Sequence, residues 1–117
     1  MLVHTRCATD TVGKQLVRAC DSIGANIAES SGRYHVKDVI RFLHIARGSM
    51  RETRYWLKRA IHRRLISQEF FDKNMSELKT LGREINGYIK YQRSRTVQES
   101  SVEYKVSFTP EVDPPTD

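Results

Sequence analysis

The chain is poor in residues that break helices or cross-link chains. Its 117 residues include two cysteines, three prolines and one tryptophan. The prolines are Pro110, Pro114 and Pro115, so none interrupts residues 1–109. A proline inside a helix removes a hydrogen bond and costs about 3 kcal/mol relative to alanine. Their absence from the body of the chain allows long uninterrupted helices.

The scarcity of cysteines and of long apolar runs narrows the class of protein. Cys7 and Cys20 do not have the spacing of metal ligands, and we expect both to be reduced thiols. No apolar run approaches the roughly 20 residues that cross a bilayer. Residues 1–11 lack the apolar centre of a signal peptide. These features predict a soluble, cytoplasmic protein.

Acidic residues are scarce in the body of the chain and concentrated at its C-terminus. Residues 1–96 hold 19 basic and nine acidic side chains, whereas residues 97–117 hold one basic and five acidic side chains. A basic surface attracts nucleic acid, acidic proteins or anionic membranes. We predict a helical domain over residues 1–96 and a disordered acidic tail over residues 97–117. A short strand is the alternative prediction for the tail, because apolar and polar residues alternate there. The apolar positions are Val102, Tyr104, Val106 and Phe108.

Three rows of apolar residues predict three helices. The first helix starts near Asp10 and ends near Ser30, the second spans residues 36–64, and the third runs from an N-cap at Ser67 to about Thr96. The second and third helices carry apolar seams with alternating steps of four and three. These seams are Val39, Leu43, Ala46, Met50, Thr53, Leu57 and Ala60, and Phe71, Met75, Leu78, Gly82, Ile85 and Ile89.

The short connections predict an all-α, antiparallel up-down helical bundle. A chain of this length buries a small core, and a second apolar row remains uncovered in a three-helix arrangement. That row contains Phe42, Ile45 and Trp56. We therefore expect a homo-oligomer.

A row of basic residues accompanies the seam of the second helix. Residues 37–64 contain nine basic and two acidic side chains. Arginine binds phosphate through a planar fork, and aromatic rings stack on unpaired bases. The sequence predicts a nucleic-acid-binding surface, with a solvated or protein-binding face as the alternative. Its candidate residues are Arg47, Arg51, Arg54, Lys58, Arg59, Arg63 and Arg64, with Tyr55 and Trp56 as stacking platforms.

The sequence has no arrangement typical of catalysis or of metal binding. His35, His44 and His62 do not share a helix face at metal-ligand spacing. There is no phosphate-binding glycine loop and no nucleophile with a nearby base in sequence. We predict no catalytic residue, no metal and no cofactor.

Two motifs resemble a known family. They are Ser22-Ile23-Gly24-Ala25-Asn26-Ile27-Ala28-Glu29, followed by Gly32-Arg33, and Arg41-Phe42-Leu43-His44-Ile45-Ala46-Arg47-Gly48-Ser49. Over residues 15–91 the chain resembles the 23S rRNA intervening-sequence, or S23-type, four-helix-bundle proteins. Within the motifs, we expect Asn26 and Glu29 to hydrogen-bond to the neighbouring helix or to the Gly32–Arg33 turn. We expect Gly48, beside Ser49, to mark a close helix crossing.

The resemblance implies a fold, an assembly and partners. The family consists of small antiparallel four-helix bundles that form homopentamers, and it is not an enzyme family. Its members begin with a long first helix ahead of the segment matching Gln15, which is shortened or missing here. The stretch Arg54–Ala60 is similar to the accessory variability determinants of diversity-generating retroelements. This second likeness implies a reverse transcriptase as partner.

Overall fold

The described part of the chain folds into three α-helices. The computed structural model describes the backbone of residues 2–107 and the side chains of residues 11–96. The helices are α1 (Leu2–Ser31), α2 (Val36–His62) and α3 (Gln68–Ser107). No residue within the described backbone lies in a strand.

Two helices are longer than their apolar rows predict. α1 begins at Leu2 rather than near Asp10, and α3 continues to Ser107 rather than ending near Thr96. Residues 97–107 continue α3 as helix, and Phe108 and the rest of the predicted tail lie outside the described residues. Residues 97–107 contain no glycine or proline to stop a helix. An apolar row indicates where a helix packs, and the helix itself extends further.

A tight turn ends α2 earlier than predicted and reverses the chain. Arg64 has a φ of 59°, and its N–H donates to the Ile61 carbonyl at 3.0 Å. The N–H of Leu65 donates to the Ala60 carbonyl at 2.9 Å. This pair of bonds is a Schellman motif, with an arginine where glycine is usual. Ser67 then caps α3 by accepting a 3.1 Å bond from the Phe70 N–H, as predicted.

α2 lies between the other two helices and holds them together. It contacts both α1 and α3, whereas no Cα pair within 8 Å joins α1 to α3 in the described part of the chain. The core contains the predicted seam of α2 together with buried residues of its neighbours, including Ile23, Leu78, Ile85 and Ile89. The predicted all-α class is confirmed, and the structure consists of α1 and α3 packed on a central α2.

The close helix crossing occurs at Gly82, and the prediction that Gly48 marks one is wrong. A Cβ atom at Gly82 would lie 3.2 Å from the Met50 Cε atom, which is tighter than ordinary van der Waals contact. Gly48 is exposed, and a Cβ atom there would meet nothing within 4 Å. The sequence identified Gly48 as a small residue of α2 but did not show that it lies on the exposed side of that helix.

The two glycines should respond oppositely to substitution. Gly48→Ala should raise the free energy of unfolding by about 0.5–1 kcal/mol, because alanine favours a helix and the site is open. Gly82→Leu should lower it by roughly 1–3 kcal/mol, because the larger side chain overpacks against Met50. Urea denaturation followed by circular dichroism measures both changes. A loss of stability in Gly48→Ala would contradict the exposed placement of this residue.

Candidate nucleic-acid interface

The predicted basic row on α2 forms a continuous flank of that helix. Arg47, Arg51, Arg54 and Lys58 each follow a buried seam residue by one position, so they lie on the same side of the seam. Arg51 and Lys58 are exposed, while Arg47 and Arg54 are half-buried. None of the four forms an ion pair with another described residue. Their charges are therefore not neutralised within this part of the chain.

A second basic row lies on α3, and the sequence analysis missed it. Its members follow the α3 seam by one position at steps of 4, 3, 4 and 3, and all are exposed. They are Lys79, Arg83, Asn86, Lys90 and Arg93. The same spacing that revealed the α2 row could have revealed this one. The α3 row is less conspicuous in sequence than the α2 row, because Asn86 interrupts its cations and Glu84 directly follows Arg83.

The two rows lie on the same side of the α2–α3 contact. In an antiparallel helix pair, equivalent flanks of the two seams fall on one side. The Arg54 Nη2 atom supports this placement, because it lies 3.9 Å from the Cβ position that Gly82 would have. Gly82 sits between Lys79 and Asn86 on α3, so Arg54 reaches across the helix contact towards the second row. We call the eight cations of the two rows the basic face: Arg47, Arg51, Arg54, Lys58, Lys79, Arg83, Lys90 and Arg93.

Three carboxylates near the two rows lie away from the basic face, whereas Asp72 lies on the flank of the α3 row, two helical turns before Lys79. Glu77 lines a cleft between α1 and α3, and Glu84 follows it by two helical turns on the same side of α3. Glu52 precedes the buried Thr53, which places it on the other flank of the α2 seam. The separation of charge by helix flank gives the basic face a concentrated positive potential.

The structure does not bring all of the predicted binding residues together. Arg59 and Arg63 lie about 100° and 140° around α2 from Lys58, if the helical rotation is continued past His62. Arg64 is exposed in the turn between α2 and α3. These three cations extend the positive charge around the end of α2 rather than along the basic face.

The two aromatic candidates occupy different environments. Tyr55 is 54% exposed and follows the basic row around α2, where its ring is available for stacking. Trp56 is half-buried and lies about 160° around the helix from Lys58. Its Nε1 atom is buried without a hydrogen-bond partner among the described residues. The rings contact each other edge to face with centroids 4.9 Å apart. Of the two, only Tyr55 is placed beside the basic row.

The polar residues of the first motif connect α1 to α2 and to the turn. The Ser22 and Ser49 hydroxyls share a 2.7 Å hydrogen bond between the helices. Asn26 donates to the Ser22 carbonyl at 2.8 Å and to its hydroxyl at 3.2 Å. Arg33 donates to the Glu29 carboxylate at 3.0 Å. Asn26 therefore bonds to Ser22 of its own helix and not, as predicted, to the neighbouring helix. The Ser22 hydroxyl makes the contact with α2.

The remaining motif positions are distributed between core and surface. Ile23 is buried, Ile27 packs partly against the core, and Gly32 donates its N–H to the Glu29 carbonyl at 3.2 Å. Among the described side chains, no cluster of three His, Cys, Asp or Glu residues has the arrangement of a metal site. None of the described helices is long and apolar enough to span a membrane.

The geometry of the basic face suits contacts with phosphates. Successive cations of one row are separated by about one helical turn, or roughly 5 Å. The arginines offer forked donors and the lysines offer point charges. Such an array binds a polyanion through its backbone without reading base identity.

Comparisons with known proteins agree with this fold. Residues 4–87 match the family model of the 23S rRNA-intervening sequence protein. The chain is also similar to a crystal structure of a protein of unknown function from the S23 ribosomal protein family of Bacteroides thetaiotaomicron. That similarity has 32% sequence identity and a TM-score of 0.65, and covers 68% of this chain and 73% of the other. No curated protein matches.

The Ser22–Ser49 bond should couple α1 to α2 energetically. Ser49→Ala should lower the free energy of unfolding by about 1 kcal/mol, because the Ser22 hydroxyl loses its partner on α2. A double-mutant cycle with Ser22→Ala, measured by urea denaturation, should give a coupling energy of about 0.5–1 kcal/mol. Ser31→Ala is the matched control, because its hydroxyl is exposed and bonds within α1. Strict additivity of the two changes would rule out the coupling.

Proposed function

We propose that this chain, which belongs to the 23S rRNA-intervening sequence protein family, is a non-enzymatic helical scaffold that binds the backbone of RNA or DNA as a homo-oligomer. The basic face carries the binding, and Tyr55 provides an aromatic ring at its edge. Contacts to phosphates position the nucleic acid, and base identity contributes little.

The charge distribution of the basic face is the observation that carries this proposal. Eight cations lie in two parallel rows, while Glu52, Glu77 and Glu84 lie on other flanks and Asp72 lies on the flank of the α3 row, two helical turns before Lys79. Charged faces of helices commonly mix both signs, which limits their attraction for a polyanion. An array of one sign releases condensed counterions from nucleic acid when it binds, and this release favours association at low salt.

Oligomerisation would increase the attraction in proportion to the number of copies. Each further basic face adds its field to the others when the faces can reach one polyanion. The short chain and its exposed apolar residues support assembly, including Ile45 at 43% and Phe70 at 47% exposed. Light scattering on purified protein gives the number of copies.

A protein adaptor is the second candidate function. The exposed Tyr34, Ile45 and Tyr55 offer apolar surface that a partner such as a reverse transcriptase could cover. An apolar interface changes little with salt, whereas phosphate contacts give a steep dependence of affinity on salt. The salt series below therefore separates the two functions.

The direct experiment measures binding of nuclease-treated protein to labelled single-stranded and structured RNA and DNA. We expect micromolar or tighter binding at low salt, and a slope of log K against log salt of about −3 if four phosphates are contacted. Binding should depend weakly on base sequence. Absence of binding to all four probes at low salt would reject the proposal in favour of the adaptor.

Charge reversal on the α2 row should abolish binding without unfolding the protein. Arg51→Glu with Lys58→Glu changes two exposed residues, so circular dichroism should remain unchanged. The matched control is Lys14→Glu with Arg18→Glu, which makes the same charge change at exposed positions of α1. Fluorescence anisotropy at low salt should show binding lost in the first variant and retained in the control. Equal weakening in both would indicate a response to net charge alone.

Charge reversal on the α3 row tests whether the second row takes part. Lys90→Glu with Arg93→Glu should weaken binding at least tenfold and make the salt slope shallower by about one to two, because up to two phosphate contacts are lost. Both side chains are exposed, so the fold should persist. An unchanged affinity and slope would confine the interface to α2.

A further inference from the structure

A groove lies between the two rows of the basic face. It follows the contact of α2 with α3, and the axes of packed helices are about 8–10 Å apart. The α2 row forms one rim and the α3 row forms the other. Gly82 of the α3 seam has no side chain, and the Arg54 Nη2 atom lies 3.9 Å from the Cβ position there. Arg54 thus places a half-buried charge at the floor of the groove.

The alignment of the two helices gives the length of the groove. Gly82 lies opposite residues 50–54 of α2, so each residue of α3 can be assigned a level along α2. At 1.5 Å per residue, the cations extend over about 25 Å, from Lys58 at one end to Arg93 at the other. Asp72 lies on the flank of the α3 row, about 6 Å beyond the level of Lys58. Its carboxylate ends the positive stretch on that side.

Cations line both rims over about two thirds of this length. The α2 row extends over roughly 16 Å from Arg47 to Lys58, and Lys79 and Arg83 lie at the same levels on α3. We call this length, from Arg47 to Lys58, the two-sided stretch. The remaining two cations of α3 continue their rim alone for about 9 Å. A ligand in the groove is therefore contacted from both sides at one end and from one side at the other.

We propose that this groove holds a single strand of nucleic acid, extended along α2 and α3, in preference to a duplex. The inference rests on the proposed function and specifies the form of nucleic acid that the basic face binds. Proteins that bind single strands without reading sequence combine a positively charged groove along the backbone with aromatic rings on which bases stack. Single-stranded RNA and single-stranded DNA share this chemistry.

A straight groove does not follow a strand of a duplex. Each strand winds once around the duplex axis in about 34 Å, so it passes through roughly three quarters of a turn within 25 Å. Most of its phosphates then point away from the two rims. An extended single strand has no such constraint. About seven nucleotides fill the groove at the 3.4 Å spacing of a stacked strand.

Tyr55 supplies the ring on which a base stacks. It lies about one helical turn from both Arg51 and Lys58, and it is 54% exposed. The ring of the half-buried Trp56 contacts it edge to face, with centroids 4.9 Å apart, and supports its orientation. The face of a base is open to a tyrosine ring in an unpaired strand but is covered by its neighbours within a duplex. Tyr55 should therefore contribute to the binding of single strands and not of duplexes.

Fluorescence anisotropy on the nuclease-treated full chain tests the preference. The probes are GC-rich RNA and DNA strands of about twelve nucleotides and the duplexes that they form, all at the same low salt. We expect both single strands to bind at least tenfold more tightly than the duplex of the same nucleic acid. Equal or tighter binding of the duplexes would overturn this inference and leave the proposed function standing. No binding to any probe would reject both.

Removal of the Tyr55 ring tests the stacking contact. Tyr55→Ala should weaken the binding of single strands roughly tenfold and leave duplex binding unchanged, whereas Tyr55→Phe should retain both. The matched control is Tyr88→Ala. Tyr88 is 42% exposed and follows the cleft-lining Leu81 by two helical turns, on the flank away from the groove. No loss in Tyr55→Ala, or an equal loss for duplexes, would overturn the placement of a base on Tyr55.

Strand length tests the placement along the groove. Lys79→Gln with Arg83→Gln should weaken strands of about four and of about eight nucleotides, because both occupy the two-sided stretch. Lys90→Gln with Arg93→Gln removes the same charge but should weaken only the longer strand, since four nucleotides span about 14 Å. Competition against a labelled longer strand measures both effects at low salt. Equal weakening of the two strands by the second pair would overturn the lengthwise placement.

Discussion

The packing of α1 and α3 on a single central helix is the constraint on which the rest of the structure depends. The α2 seam, from Val39 to Ala60, is buried along its whole length by two neighbours, and no Cα pair within 8 Å joins these neighbours in the described part of the chain. This arrangement fixes the basic row beside α3 and leaves a cleft between α1 and α3. A more compact arrangement, with α1 against α3, would close the cleft. The basic face and the cleft thus both result from the packing of α1 and α3 on α2.

α3 shows how one helix can serve three surfaces through neighbouring positions. Its seam, including Leu78, Ile85 and Ile89, packs on α2. The residues just after the seam form the second basic row, and residues just before it, such as Glu77 and Leu81, line the cleft between α1 and α3. Because successive residues are about 100° apart on a helix, these sets occupy separate flanks. A substitution on one flank of α3 should therefore leave the residues of the other two flanks in place.

The sequence predicted those features that follow from local periodicity. Alternating steps of four and three placed the α2 and α3 seams correctly, and Ser67 was recognised as a cap from its position and chemistry. Periodicity does not show which flank of a helix faces a neighbouring helix. For this reason the sequence placed a close crossing at Gly48 of α2, whereas the structure has it where Gly82 of α3 meets Met50. Periodicity also gives no end point for a helix without glycine or proline, as residues 97–107 show. The α3 row carried the same signal as the α2 row but was less conspicuous, because an asparagine interrupts its cations.

The extent of α3 bears on the role of the acidic tail. α3 is antiparallel to α2, so its continuation beyond Thr96 carries the chain past the start of α2 and away from Arg51 and Lys58. Residues 97–107 alone span about 15 Å as helix. A competing intramolecular anion is most effective when its tether keeps it near the cations. The direction of α3 instead carries the backbone of residues 97–107 away from the α2 row of the basic face, which favours an arrangement that leaves the α2 row open to a polyanion.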